Sequence, residues 1–70
     1  MNIRQLSSVM GSKAEWTGKA HRFYAKDANH YDLLQDLAAA MQRAPKAARI
    51  RWWSRGATSD NRRFVEVAMH

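Results

Sequence analysis

ARIRWWSRG, residues 48–56, sets two adjacent tryptophans within a run of three arginines. In an extended strand, neighbouring side chains leave opposite faces of the sheet. Ile50 and Trp52 are therefore predicted on one side, with Arg49, Arg51, Trp53 and Arg55 on the other. One side then reads as core and the other as a basic aromatic surface. The alternation predicts Trp52 pointing in and Trp53 pointing out.

The flanking segments supply a partner strand and a cover. RRFVEVAM (62–69) alternates cleanly, with Val65, Val67 and Met69 in one row and Arg62, Phe64 and Glu66 in the other. The intervening GATSDN (56–61) is rich in turn formers, so 48–55 and 62–69 are predicted to form a hairpin. Upstream, HYDLLQDLAAAMQRA (30–44) repeats Tyr31, Leu34, Leu37, Ala38, Met41 and Ala44 at helical spacing, with Leu33 widening the stripe. Asp32, Gln35, Asp36, Gln42 and Arg43 mark the wet side of this helix. Asn29 is the expected cap, and Pro45 places the end near Arg43. KAHRFYAKD (19–27) has strand composition, separating His21, Phe23 and Ala25 from Arg22, Tyr24 and Lys26. Thr17-Gly18 reads as the turn before it, with Trp16 against the core edge. Residues 1–18 fit either a short helix through Ile3, Leu6, Val9 and Met10 ending at Gly11, or an edge strand, with the helix preferred.

These elements predict a single α+β domain over residues 1–70. The architecture is a two-layer sandwich, one main helix on an antiparallel or mixed sheet of about three strands. One amphipathic helix covers one face of such a sheet. With Phe23, Ile50, Trp52, Val65, Val67 and Met69 covered, the open face collects Arg22, Tyr24, Lys26, Arg49, Arg51, Trp53, Arg55, Arg62 and Phe64. In a competing arrangement, Trp53 and Phe64 pair across the hairpin and lie against residues 1–18, which leaves no platform.

Composition bounds the function. A 70-residue chain has a thin core, worth about 3–5 kcal/mol unless a partner or a second copy adds burial, and with its aromatic inventory this favours a homodimer. There is no cysteine, which excludes a disulfide framework and thiolate zinc and suits a reducing compartment, with cytoplasm the expected location. No secretory signal or membrane-spanning apolar run is visible, so no membrane partner is expected. Twelve Lys+Arg against six Asp+Glu give a net charge of +6. Arg43, Lys46, Arg49, Arg51, Arg55, Arg62 and Arg63 crowd into 43–63, where Asp60 is the one acid. Such a field attracts nucleic acid or an acidic protein face.

Nothing points to catalysis. His21, His30 and His70 lack metal-ligand spacing, Asp32 and Asp36 lie on the solvated helix face, and no glycine-rich phosphate loop occurs. No cofactor and no metal are expected. A helix-turn-helix over IRQLSSVMGSKAEWTGKAHRF fails at Thr17-Gly18, where the second helix needs helix formers. Rings among cations suit two kinds of ligand: single-stranded nucleic acid, by stacking and phosphate neutralisation, or a protein, since Trp, Tyr and Arg dominate interface hot spots.

In size and layout the chain resembles the short, cysteine-free α/β proteins encoded by phages and mobile elements, including anti-CRISPR proteins. That resemblance lies in general character and carries no functional residue across. It implies a non-enzymatic inhibitor, often dimeric, that occupies a surface of a host protein or ribonucleoprotein.

Overall fold

The computed structural model describes residues 1–44, 46 and 49–70. Among these, the elements run α1 (Ile3–Met10), β1 (Ala14–Trp16), β2 (His21–Tyr24), α2 (Ala28–Arg43), β3 (Ile50–Ala57) and β4 (Arg63–Met69). The strands form one sheet in the order β1-β2-β4-β3, antiparallel throughout. The α+β class and the main helix are those predicted, and the sheet has one strand more than expected.

Residues 3–10 take the helical alternative. Asn2 Oδ1 accepts from the Gln5 N–H and Gln5 Oε1 accepts from the Asn2 N–H, both at 2.9 Å, a reciprocal cap that satisfies two otherwise orphaned donors. At the other end Gly11, at φ 72°, donates its N–H to Ser7 O at 3.0 Å. Left-handed backbone there suits glycine and stops the helix. Leu6 and Met10, four residues apart, form its buried stripe.

The chain then forms β1, a three-residue edge strand invisible to periodicity. Its turn into β2 is tied by Thr17, whose N–H donates to Ala20 O at 2.9 Å and whose hydroxyl accepts from Ala20 N–H at 3.2 Å. Trp16 is 60% exposed and lies with its ring 4.8 Å from that of His21, so it does not pack at the core edge as predicted.

Asp27, not Asn29, caps α2, its Oδ1 accepting from His30 N–H at 2.7 Å. The helix ends at Arg43 as expected. Leu34, Ala38 and Met41 are buried, whereas Leu33 is 50% exposed and does not widen the stripe. His30 joins the two helices. Its Nδ1 accepts from Lys26 N–H at 2.9 Å; Nε2 therefore carries the proton and donates to Met10 O at 2.7 Å.

The core assembles Phe23, Val65, Val67 and Ile50 from the sheet, Leu34, Ala38 and Met41 from α2, and Leu6 and Met10 from α1. Register decides the two tryptophans. Ile50 faces Met69, but Trp52 faces Ala68 and Trp53 faces Val67, with a shift in pairing between Ile50 and Trp52. The extra residue is Arg51. A β-bulge of this kind reverses the alternation beyond it. Trp53 and Arg55 thus share the row of Val67 and Val65 under the helices, and Trp52 joins the row of Ala68 on the opposite face. Trp53 packs against the core cluster, and Arg55 reaches α2 to donate to Gln35 Oε1 at 2.7 Å. The predicted orientation of the pair is reversed: Trp53 goes in and Trp52 goes out.

Candidate interaction face

Both helices pack on one side of the sheet, and none of the described residues covers the other. Cross-strand rows build that open face. Tyr24 lies opposite Phe64, which lies opposite Gly56; Glu15, Arg22, Glu66 and Ser54 form the next row; Trp52 and Ala68 form a third.

Glycine is required in the first row. A Cβ on Gly56 would sit 2.8 Å from Phe64 Cζ, so the Phe64 ring lies down over bare backbone. Tyr24 meets that ring edge-on, with centroids 5.9 Å apart at 78°, the arrangement favoured by the aromatic quadrupole. In the third row Ala68 is only 6% exposed although it belongs to the open face. Directly paired side chains on one face lie within about 5.5 Å at Cβ, and the partner of Ala68 across the hairpin is Trp52.

The middle row is the electrostatic centre. Arg22 donates through Nη2 and Nε to Glu66 Oε1 at 2.6 and 2.9 Å and through Nη1 to the Tyr24 hydroxyl at 3.2 Å. Its guanidinium carbon lies 4.0 Å from the Phe64 centroid. The Tyr24 hydroxyl first, and then Glu66, raise the Arg22 pKa above its ordinary value. Arg22 is thus a fixed, neutralised plate among the rings, with Glu15 paired on its other side. Arg62, in the turn before β4, stacks on the Tyr24 ring at 3.9 Å.

Of the nine residues predicted for the site, Arg22, Tyr24, Phe64 and Arg62 come together here. Lys26 lies just beyond β2 at the same end. Trp53 and Arg55 belong to the covered side, displaced by the bulge. Arg51 is the bulge residue, and its carbonyl accepts from the Gln42 side chain at 3.5 Å. Arg49 precedes β3 at φ 53°, its carbonyl accepting from His70 N–H at 3.0 Å. Both are exposed and border the face without joining its centre. Glu66, in the outward row by alternation, and Trp52, which unbroken alternation would put in the core, both belong to the site without being among the nine. The opposition of Gly56 to Phe64 needed the hairpin register. The face is an aromatic, charge-paired centre with cations at its margins, not a continuous basic stripe.

Among the described residues no cluster of His, Asp or Glu could hold a metal ion, and no helix is long and apolar enough to cross a membrane. Comparison with known proteins finds no matching family, no matching curated relative and no matching solved structure.

Proposed function

We propose that this chain is a non-enzymatic binding domain whose open sheet face docks on a larger host protein or ribonucleoprotein, acting as an inhibitor of the phage-encoded kind it resembles. One observation carries the choice of a protein-binding face over a strand-binding one: the only ion pair among the described residues, Arg22–Glu66 at 2.6 Å, sits in the middle of the aromatic cluster. A phosphate-binding track needs unpaired cations between its stacking rings. Here the central cation is spent on Glu66, and Glu15 adds a second carboxylate to the same row.

Protein interfaces accept this arrangement, since aromatic rings and Arg are the residues enriched in them and a polar rim surrounds them. Trp52, Phe64 and Tyr24 supply the rings around the Arg22–Glu66 pair, and Arg49, Arg51 and Arg62 the rim. The complementary partner presents an apolar patch bordered by acidic side chains. A second copy carries the same rim and the same net charge of +6, which opposes self-association through this face.

The test is a nuclease-treated capture from host lysate beside an oligonucleotide titration at two salt concentrations. The expected result is a nuclease-resistant protein partner, lost on Phe64→Ala or Trp52→Ala and retained on Leu33→Ala, with sedimentation showing no self-association. The opposite result is tight oligonucleotide binding without such a partner, its logarithmic salt slope steepening by about −0.7 for each phosphate neutralised. That outcome would make the face a single-strand platform.

A further inference from the structure

At one end of the sheet, where β2 passes into α2 and the hairpin turn enters β4, the surface closes into a notch of about 400 Å³. Its walls are residues 24–28 on one side and 61–63 on the other, held together by the Ala25 N–H donating to Arg63 O at 2.9 Å. Three cations line it, Lys26, Arg62 and Arg63, and none of them has an acidic partner within ion-pair distance among the described residues. The lining carboxylate, Asp27, is engaged as the cap of α2.

Two of the cations are held in place by rings. Arg62 lies 3.9 Å from the Tyr24 centroid and Arg63 5.3 Å from that of Tyr31, distances at which the quadrupole attracts a guanidinium. Tyr24 belongs to the open face and Tyr31 to α2 on the covered side, so these neighbours flank the notch from its two sides. Like charges converging on one cavity focus a positive potential there. The volume lies within the roughly 300–1,000 Å³ typical of sites for whole small molecules, more than a lone inorganic anion fills.

We infer that this notch binds a nucleotide, its phosphate between Lys26 and Arg63 and its base stacked on the Arg62 guanidinium plate. Guanidinium planes stack bases as aromatic side chains do, and Lys and Arg bind phosphate by charge-assisted hydrogen bonds. The site is distinct in chemistry from the charge-paired centre of the open face. It adjoins that face through Tyr24 and Arg62, so a nucleoprotein partner could engage both.

The experiment is an amide NMR titration of the intact chain with adenosine 5′-monophosphate, adenosine and inorganic phosphate as separate probes. The nucleotide is expected to shift the amides of residues 25–29 and 61–63, and both fragments should bind more weakly. Lys26→Ala and Arg63→Ala should each weaken the nucleotide by about tenfold or more, the value of one charge-assisted hydrogen bond. Arg62→Ala should weaken the nucleotide while leaving inorganic phosphate unchanged. The fold of each variant is verified by its unperturbed core amides. An oligonucleotide with a 5′-phosphate, compared with its 5′-hydroxyl form, identifies the source: tighter binding than the free nucleotide assigns the notch to strand ends, and equal or weaker binding assigns it to free nucleotides. Inorganic phosphate binding as tightly as the nucleotide, shifts scattered over Arg4, Lys13 and Lys19, or unchanged affinity in Lys26→Ala and Arg63→Ala would each overturn the assignment. Loss of the docking partner on Phe64→Ala is read independently, so the two proposals fail separately.

Discussion

The two faces of this sheet use the same residue types for opposite purposes. On the covered side Phe23, Val65 and Val67 are fully buried under two helices, and the exposed Arg55 hydrogen-bonds Gln35 of α2 at their margin. On the open side the aromatic rings of Tyr24 and Phe64 are only half-buried, held by cation–π contacts and by each other. Two adjacent tryptophans are divided between these environments by a single inserted residue. Apolar content therefore does not say which face is core. Register does.

The largest expected difference between the faces is in stability. Phe23→Ala should cost about 3–5 kcal/mol, as truncation of a fully buried aromatic does, whereas Phe64→Ala, with its ring on the surface of Gly56, should cost much less. Comparable losses in denaturant melts would mean that the open face is packed as tightly as the core. Next in size is the tryptophan pair itself. Trp53→Ala should destabilise by roughly 2–3 kcal/mol, discounted from full burial because the ring is half-exposed, and Trp52→Ala by clearly less. The reverse order would restore unbroken alternation and remove the bulge.

Much of this comparison was legible in the chain. Val65, Val67 and Met69 against Phe64 and Glu66, and Phe23 against Arg22 and Tyr24, follow the pleat as predicted because those strands are central and carry no insertion. The stripe of α2 was equally plain, since Leu34, Ala38 and Met41 recur with the helical turn. The failures share one cause, dependence on partners distant in sequence. The bulge at Arg51 comes with a left-handed Arg49 whose carbonyl accepts from the chain's last N–H, at His70. β1 is a strand because β2 offers it an edge, and its three residues carry no period. Asp27 outcompetes Asn29 as the cap because the chain must leave β2 at Tyr24 and turn at once into the helix.

Smaller effects sharpen the contrast. His30→Ala removes two hydrogen bonds, the one to Met10 O that joins α1 to the start of α2 and the one from the Lys26 N–H, and should cost about 1–3 kcal/mol, with the amides of residues 3–10 losing hydrogen-exchange protection first. If protection falls evenly across the chain, α1 is not a separate cooperative unit. Gly56→Ala brings a methyl within 2.8 Å of Phe64 Cζ. It should displace that ring and weaken partner capture while costing only about 1 kcal/mol of stability, an ordinary overpacking penalty at a site where the obstacle can move. An unmoved Phe64 resonance would show that the ring does not lie on Gly56.

The smallest effect is at acid pH. The Thr58 hydroxyl holds the Asp60 carboxyl below its usual range. A folded-state pKa below the unfolded value contributes stability present above the unfolded pKa and lost as pH falls through the folded one. Asp60→Asn should therefore flatten the loss of stability below about pH 4 without altering stability differences between the two faces. An unchanged acid limb would show that the Thr58–Asp60 contact does not persist in solution.

The division of the sheet rests most directly on where the two indoles lie, and nuclear Overhauser contacts from their ring protons measure it. The Trp53 ring should show contacts to methyl groups of the buried cluster, those of Val67 among them, and the Trp52 ring to the Ala68 methyl. Trp52 contacting the core methyls while Trp53 contacts none of them would contradict the bulge, the open face and the docking surface built on it.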